Sequence, residues 1–184
     1  FAMGYSWGYR AQAKQERLEK RYRIKSNIYG HDLAKNYYTQ EAMWGGKPYT
    51  VCTNSLGFKD KAIREIPLAS SRRRMVFIGD SFTEGVGITY DKTFAGLVDK
   101  ELSKRGIEAL NAGVQGYSPI IYWRKIKYLI ENIGLKFDEL VVFLDISFMS
   151  AMLSFFESSN FDKLLPKYIL FLETLFLFLI LMTV

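Results

Sequence analysis

Histidine and cysteine are almost missing from this chain: its 184 residues include one of each, His31 and Cys52. A lone cysteine excludes an internal disulfide and leaves the compartment open, since disulfide-free chains occur on both sides of a membrane. One histidine and one cysteine without clustered ligand spacing argue against a dedicated zinc site. Gly-Lys-Ser/Thr does not occur, and Gly79, Gly85 and Gly87 do not make the Gly-x-Gly-x-x-Gly spacing, so no phosphate or dinucleotide loop is indicated. These spacings give no sign of a metal or nucleotide cofactor. No signal peptide is visible. The most apolar stretch, 164–184, carries Lys167 and Glu173, and from Ile169 to Val184 it has 16 residues. That is short of the roughly 20 a spanning helix needs, and a carboxylate in lipid is costly. A buried or partner-packed helix beginning near Pro166 is the first expectation for this tail. A cut-short membrane helix is the second, and a reading-frame error is the third. The first residue is Phe1 rather than Met and the chain stops in "FLETLFLFLILMTV", so it reads as a piece of a longer protein.

Hydrophobic residues make up 49% and charged residues 24%, which is a folding composition and not a disordered one. The net charge of +6 is concentrated. Between Arg10 and Lys25 stand seven bases (Arg10, Lys14, Arg17, Lys20, Arg21, Arg23, Lys25) against Glu16 and Glu19, a local excess of 7 − 2 = +5. Two readings stay open: a solvated helix with Glu16 and Lys20 paired at i,i+4, or a segment lying on anionic lipid. The run lacks aromatic interleaving beyond Tyr22 and any recognised binding motif, which argues against nucleic acid as a partner.

Texture divides the chain at about residue 70. Residues 1–70 form an arm with a basic helix, a short strand at "YTVCT" and a turn at "NSLG". Residues 71–184 form the main domain, expected to end in an apolar helix. Here strand and helix alternate. "RRMVFIG", "IEALNAG" and "DELVVFLDI" are continuous apolar runs. Between them lie "YDKTFAGLVDKELSKRG", with Phe94, Leu97, Val98 and Leu102 on one face and a stop at Gly106, and "SPIIYWRKIKYLIENIG". The latter carries Ile121, Ile126, Leu129 and Ile130, has Ser118 as N-cap and Pro119 at the first helical position, and stops at Gly134. The order β-α-β-α-β with apolar strands predicts an α/β fold with a parallel sheet covered on both faces. Ligands of such sheets bind at the carboxyl ends of the strands. "GDS", "NAGVQG" and "DIS" all fall at that rim.

A serine at a strand-to-helix turn needs a base to become a nucleophile, and its own N–H can donate to an oxyanion. "FIGDSFTEG" resembles block I of the SGNH/GDSL hydrolases, with Ser81 in the nucleophile position and Asp80 supporting it. "LNAGVQGYS" resembles block II, with Gly116 as the oxyanion-hole glycine. "TNSLGFKDK" is similar to the lead-in of a bacterial subgroup of that superfamily. The resemblance covers residues 50–150. It implies a flavodoxin-like three-layer α/β/α sandwich, incomplete here and preceded by the arm. The implied activity is that of a serine esterase or lipase cleaving O-acyl esters, O-acetyl above all, through an acyl-serine. An O-acyltransferase modifying a cell-surface or exported polysaccharide is the alternative, and a non-catalytic domain binding carbohydrate or a partner is the third reading. The implied partners are an acylated small molecule, polysaccharide or lipid. Membrane contact could come through the basic arm or the apolar tail. The resemblance points to a bacterial membrane-anchored, periplasmic or extracellular setting.

Two departures from the family pattern stand out. Where block III has Gly-x-Asn-Asp, this chain has "FLDISFM", so Ser147 occupies the place of the third oxyanion donor, Phe148 that of the Asp, and Asp145 is a strand-end acid. The block V Asp-x-x-His, which supplies the base, is absent. His31 lies upstream of the nucleophile strand and reads as a surface or arm-packing residue rather than the base, with the base, and the fourth and fifth strands, expected beyond Val184. Ser81 is accordingly expected to react poorly with a fluorophosphonate.

Overall fold

The structure, a computed structural model, describes residues 12–144 and the backbone of 169–173. Helix α1 covers 12–19. Two antiparallel hairpins follow: β1 (Arg23–Ser26) with β2 (Gly30–Leu33), and β3 (Tyr38–Trp44) with β4 (Lys47–Cys52). The alternating part begins with β5 (Arg74–Ile78). It continues through the short α2 (Ser81–Glu84), a 3-10 turn at Tyr90–Lys92, α3 (Phe94–Lys104), β6 (Glu108–Asn111), α4 (Pro119–Tyr128), β7 (Glu139–Leu144) and β8 (Ile169–Glu173).

β6, β5, β7 and β8 form one parallel sheet in that order, so the fold is α/β. β5, the first strand of the sheet in the chain, has the second on one side and the third and fourth on the other. The strand order therefore reverses at β5. Alternate residues serve the two faces. Met75, Phe77, Ala109, Val141 and Phe143 meet Phe94, Ala95 and Leu102 of α3. Val76, Ile78, Leu110, Leu140 and Val142 meet Tyr122 and Ile126 of α4 and Leu129 just after it.

The second of these faces also receives Tyr22, Tyr29, Leu33, Val51, Phe58 and Ile66, so residues upstream of 70 share one core with the sheet. Single bridges pair Lys59 with Thr53 and with Asn111, which lays this segment along the outer edge of β6.

The expected stops hold. α3 ends with the Gly106 N–H donating to Ser103 O and the Ile107 N–H to Leu102 O, the paired bonds of a Schellman motif. α4 runs through a wider turn at Leu129–Ile133 to Gly134, and Ser118 and Pro119 stand at its start as the sequence indicates.

Three expectations are corrected. The α3 face is only partly as expected: Phe94 and Leu102 pack on the sheet, but Leu97 and Val98 are exposed, whereas Ala95, Gly96 and Asp99 are buried, with Asp99 paired to Lys61 at 3.1 Å. The Glu16–Lys20 pair does not form; Glu16 accepts from Gln12, and Glu19 lies 3.8 Å from Arg23. Part of the apolar tail expected to be helical is instead β8, whose backbone pairs Ile169 with Leu140 through Glu173 with Leu144; the fourth strand, expected beyond Val184, thus lies at 169–173 and covers the edge of β7. A short unbroken apolar run does not distinguish helix from strand by periodicity; here the open edge of β7 decides. Among the described residues no helix is long and apolar enough to cross a membrane.

Candidate active site

β5 ends at Ile78, and the chain turns through Gly79 and Asp80 to put Ser81 at the first position of α2. Asp80 is the N-cap: its Oδ1 accepts the Phe82 N–H at 2.9 Å. Its role next to Ser81 is therefore to fix the turn. Ser81 is half-buried. Among the described residues neither its hydroxyl nor its backbone N–H has a hydrogen-bond partner; only its carbonyl is engaged, by the N–H groups of Gly85 and Val86.

The adjoining loop, 112–117, leaves the end of β6 and packs directly on this turn. Val114 N–H donates to Gly79 O at 3.2 Å, and Asn111 Nδ2 donates to Thr83 O at 2.6 Å. Thr83 is buried between the loops. A Cβ on Gly79 would overlap its Oγ1, and one on Gly113 would lie 2.6 Å from its Cβ. Glycine is required at these two positions by space. Gly116, at the tip, is required by conformation: φ is +80°, and the nearest atoms to a methyl placed there would be His31 Nε2 and Cε1 at 3.6 and 3.7 Å, an ordinary contact. Gly116 is exposed, and its N–H donates to no described residue. The structure thus sets Ser81 and Gly116 on two interlocked loops at the carboxyl ends of β5 and β6, each with a backbone N–H that has no acceptor among the described residues.

Glu84, three residues after Ser81, ties the loops together. It is completely buried. Its Oε1 and Oε2 accept from Arg23 Nη2 and Nη1 at 2.8 and 3.0 Å, a bidentate pair, and Oε2 also accepts the Gln115 N–H at 2.6 Å. Arg23 comes from β1, 61 residues away in sequence. Lys59 Nζ, also buried, donates to Gly85 O and Ile88 O at 2.7 Å each and lies 5.3 Å from the centre of the Tyr49 ring. Burial pushes its pKa down to about 8, partly offset by the charge of Glu84.

Deeper still, Lys125 Nζ donates to Asp32 Oδ1 at 2.7 Å and to Ala112 O at 3.1 Å, enclosed by the rings of Tyr117, Phe58 and Tyr29. Its pKa too is lowered, by burial first, with Asp32 opposing.

His31 lies in this network. Its Nε2 is 2.7 Å from Gln115 O, and its ring stands edge-on to Tyr117 at 5.0 Å. It packs the arm onto the Gly116 loop and makes no contact with Ser81 Oγ. Ser147, together with Asp145 and Phe148, lies outside the described residues. The spacing of "GDS" and "NAGVQG" located the two donor loops. Glu84, Arg23, Lys59 and Gln115 were not legible.

No protein-family model matches this chain, and no curated protein matches it.

Proposed function

We propose that this chain carries the nucleophile and oxyanion half of an SGNH/GDSL-type acyl-transfer site acting on O-acyl esters. The observation that carries this reading is a pair of backbone donors, Ser81 N–H and Gly116 N–H, on interlocked loops, which like the Ser81 hydroxyl have no hydrogen-bond partner among the described residues. The order β6-β5-β7-β8 supports the finer fold expectation: it is the 2-1-3-4 part of a flavodoxin-like doubly wound sheet, in which ligands sit where the order reverses.

In this reading Ser81 Oγ bonds to the acyl carbon and its proton passes to a base. The carbonyl oxygen, now anionic, takes the two N–H groups, each donor lowering the barrier by about 3 kcal/mol. The C–O bond to the alcohol then breaks and the alcohol leaves with a proton. Water releases the acyl group from Ser81 in the esterase, and a sugar hydroxyl takes it in the transferase. The proposed substrate is an acylated polysaccharide, lipid or small molecule, O-acetyl being the acyl group the resemblance favours.

No described residue presents an imidazole to Ser81, so the base can be supplied from solution. Fluorophosphonate labelling of Ser81 should be slow alone and accelerate with added imidazole, with the adduct mapped to the Ser81 peptide and lost in Ser81→Ala. Absence of labelling at every imidazole concentration would favour a non-catalytic binding domain. Acetyl release into water, compared with transfer to an oligosaccharide, separates esterase from transferase.

A further inference from the structure

We infer that His31 is a positioning residue that holds the Gln115–Gly116 peptide so that the Gly116 N–H is presented as a donor; the inference rests on the acyl-transfer reading and deepens it. A carbonyl oxygen only accepts, so the 2.7 Å contact between His31 Nε2 and Gln115 O is a bond donated by Nε2–H. The C=O of residue 115 and the N–H of residue 116 belong to one planar trans peptide and point in opposite directions. With the carbonyl drawn toward β2 by His31, the Gly116 N–H is directed away from it. That N–H has no acceptor among the described residues, on an exposed glycine.

The other side of residue 115 is held as well: its N–H donates to Glu84 Oε2 at 2.6 Å. Both polar groups of the Gln115 backbone are therefore committed, one to the nucleophile turn and one to the arm. The grip of β2 is reciprocal. Tyr117 OH donates to His31 O at 2.7 Å, and Lys125 joins Asp32 to Ala112 O at the base of the loop. The "YGHDL" stretch, Tyr29–Leu33, gains a role that its sequence alone does not reveal: it is a clamp on the loop carrying the oxyanion donor.

Two substitutions separate the donor from the bulk of the ring. His31→Gln places an amide nitrogen at the Nε2 position, whereas His31→Asn stops short. The readouts are the backbone amide resonance of Gly116 and the imidazole-dependent labelling rate of Ser81, both on the full chain. In His31→Gln both should stay close to wild type. In His31→Asn the Gly116 resonance should move and the labelling rate should fall by about tenfold or more, as loss of orientation does. Equal impairment by Gln and Asn, or an unmoved Gly116 resonance in Asn, overturns the inference.

Should His31→Asn fail to fold, the wild-type ring decides, by its nitrogen resonances. Neutral His31 must carry its proton on Nε2, and a proton on Nδ1 overturns the inference. If Ser81 is never labelled even with imidazole, the acyl-transfer reading falls, while the Gly116 and ring resonances still decide the role of His31.

Discussion

Glu84 and Lys59 show how single buried charges hold the turn that carries Ser81. Removing one partner of a buried ion pair leaves the other uncompensated, at a cost of about 3–5 kcal/mol. Glu84 is fully buried against Arg23, whose side chain is 15% exposed, so Glu84→Gln should lower the unfolding free energy by about 3 kcal/mol in urea titration. Combining it with Arg23→Met should cost less than the sum of the two single changes.

Lys59 makes a pH-dependent contribution. Its pKa is about 8 in the folded chain and returns to the ordinary lysine value, 10.5, on unfolding. Between those values the unfolded chain binds a proton that the folded chain does not, so stability rises with pH. Above about pH 10 the ionisation of unfolded tyrosines opposes this, because Tyr22, Tyr29, Tyr90 and Tyr117 are raised, by burial first, in the fold. Urea titrations should show wild type gaining about 2 kcal/mol between about pH 7.5 and 9.5 relative to Lys59→Met. A flat difference would mean that Lys59 is not desolvated. None of these residues announces itself in the sequence: the Arg23–Glu84 pair spans 61 positions and exists only once β1 is packed on the sheet.

At the scale of elements, the legible features were those set by local chemistry. β5, β6 and β7 are apolar runs bounded by turns, and α3 and α4 stop at glycines with positive φ. The inner face of α3 was only half legible. Phe94 and Leu102 pack inward as their spacing indicates, but the outward Leu97 and Val98 are more apolar than the inward Ala95 and Asp99, and Asp99 finds Lys61 as its partner only in the folded chain. The same separation of local from tertiary causes gives a prediction at two glycines. Gly106 has φ +72° with open space around it, so Gly106→Ala should cost only the left-handed strain of about 1–2 kcal/mol. Gly57 has φ +79°, and a methyl there would also meet Leu33 O at 2.6 Å. Gly57→Ala should therefore cost clearly more in thermal unfolding, because the clash is with backbone of β2. Equal costs would show that the β2 contact yields without penalty.

For the molecule as a whole, the two hairpins are part of the structure that builds the site. They contribute core residues to the α4 side of the sheet and reach the loops of the candidate site through Arg23, His31 and Asp32, while the segment after them covers the edge of β6 and reaches those loops through Lys59. Amides of β4 and of β5 should accordingly show the same opening free energy in hydrogen exchange, as one cooperative unit; lower protection confined to β4 would show a separable arm. The division of texture at residue 70 was visible because hairpin and α/β sequences differ in periodicity. The shared core was not visible, because contacts between distant segments leave no local pattern.

If Ser81 N–H and Gly116 N–H share one anionic oxygen, as proposed, the amide spectrum of the protein phosphonylated at Ser81 will show it. Both amide protons should then move downfield together on adduct formation. An adduct on Ser81 that leaves the Gly116 amide where it stands in the free protein would show that Gly116 is not a donor to that oxygen.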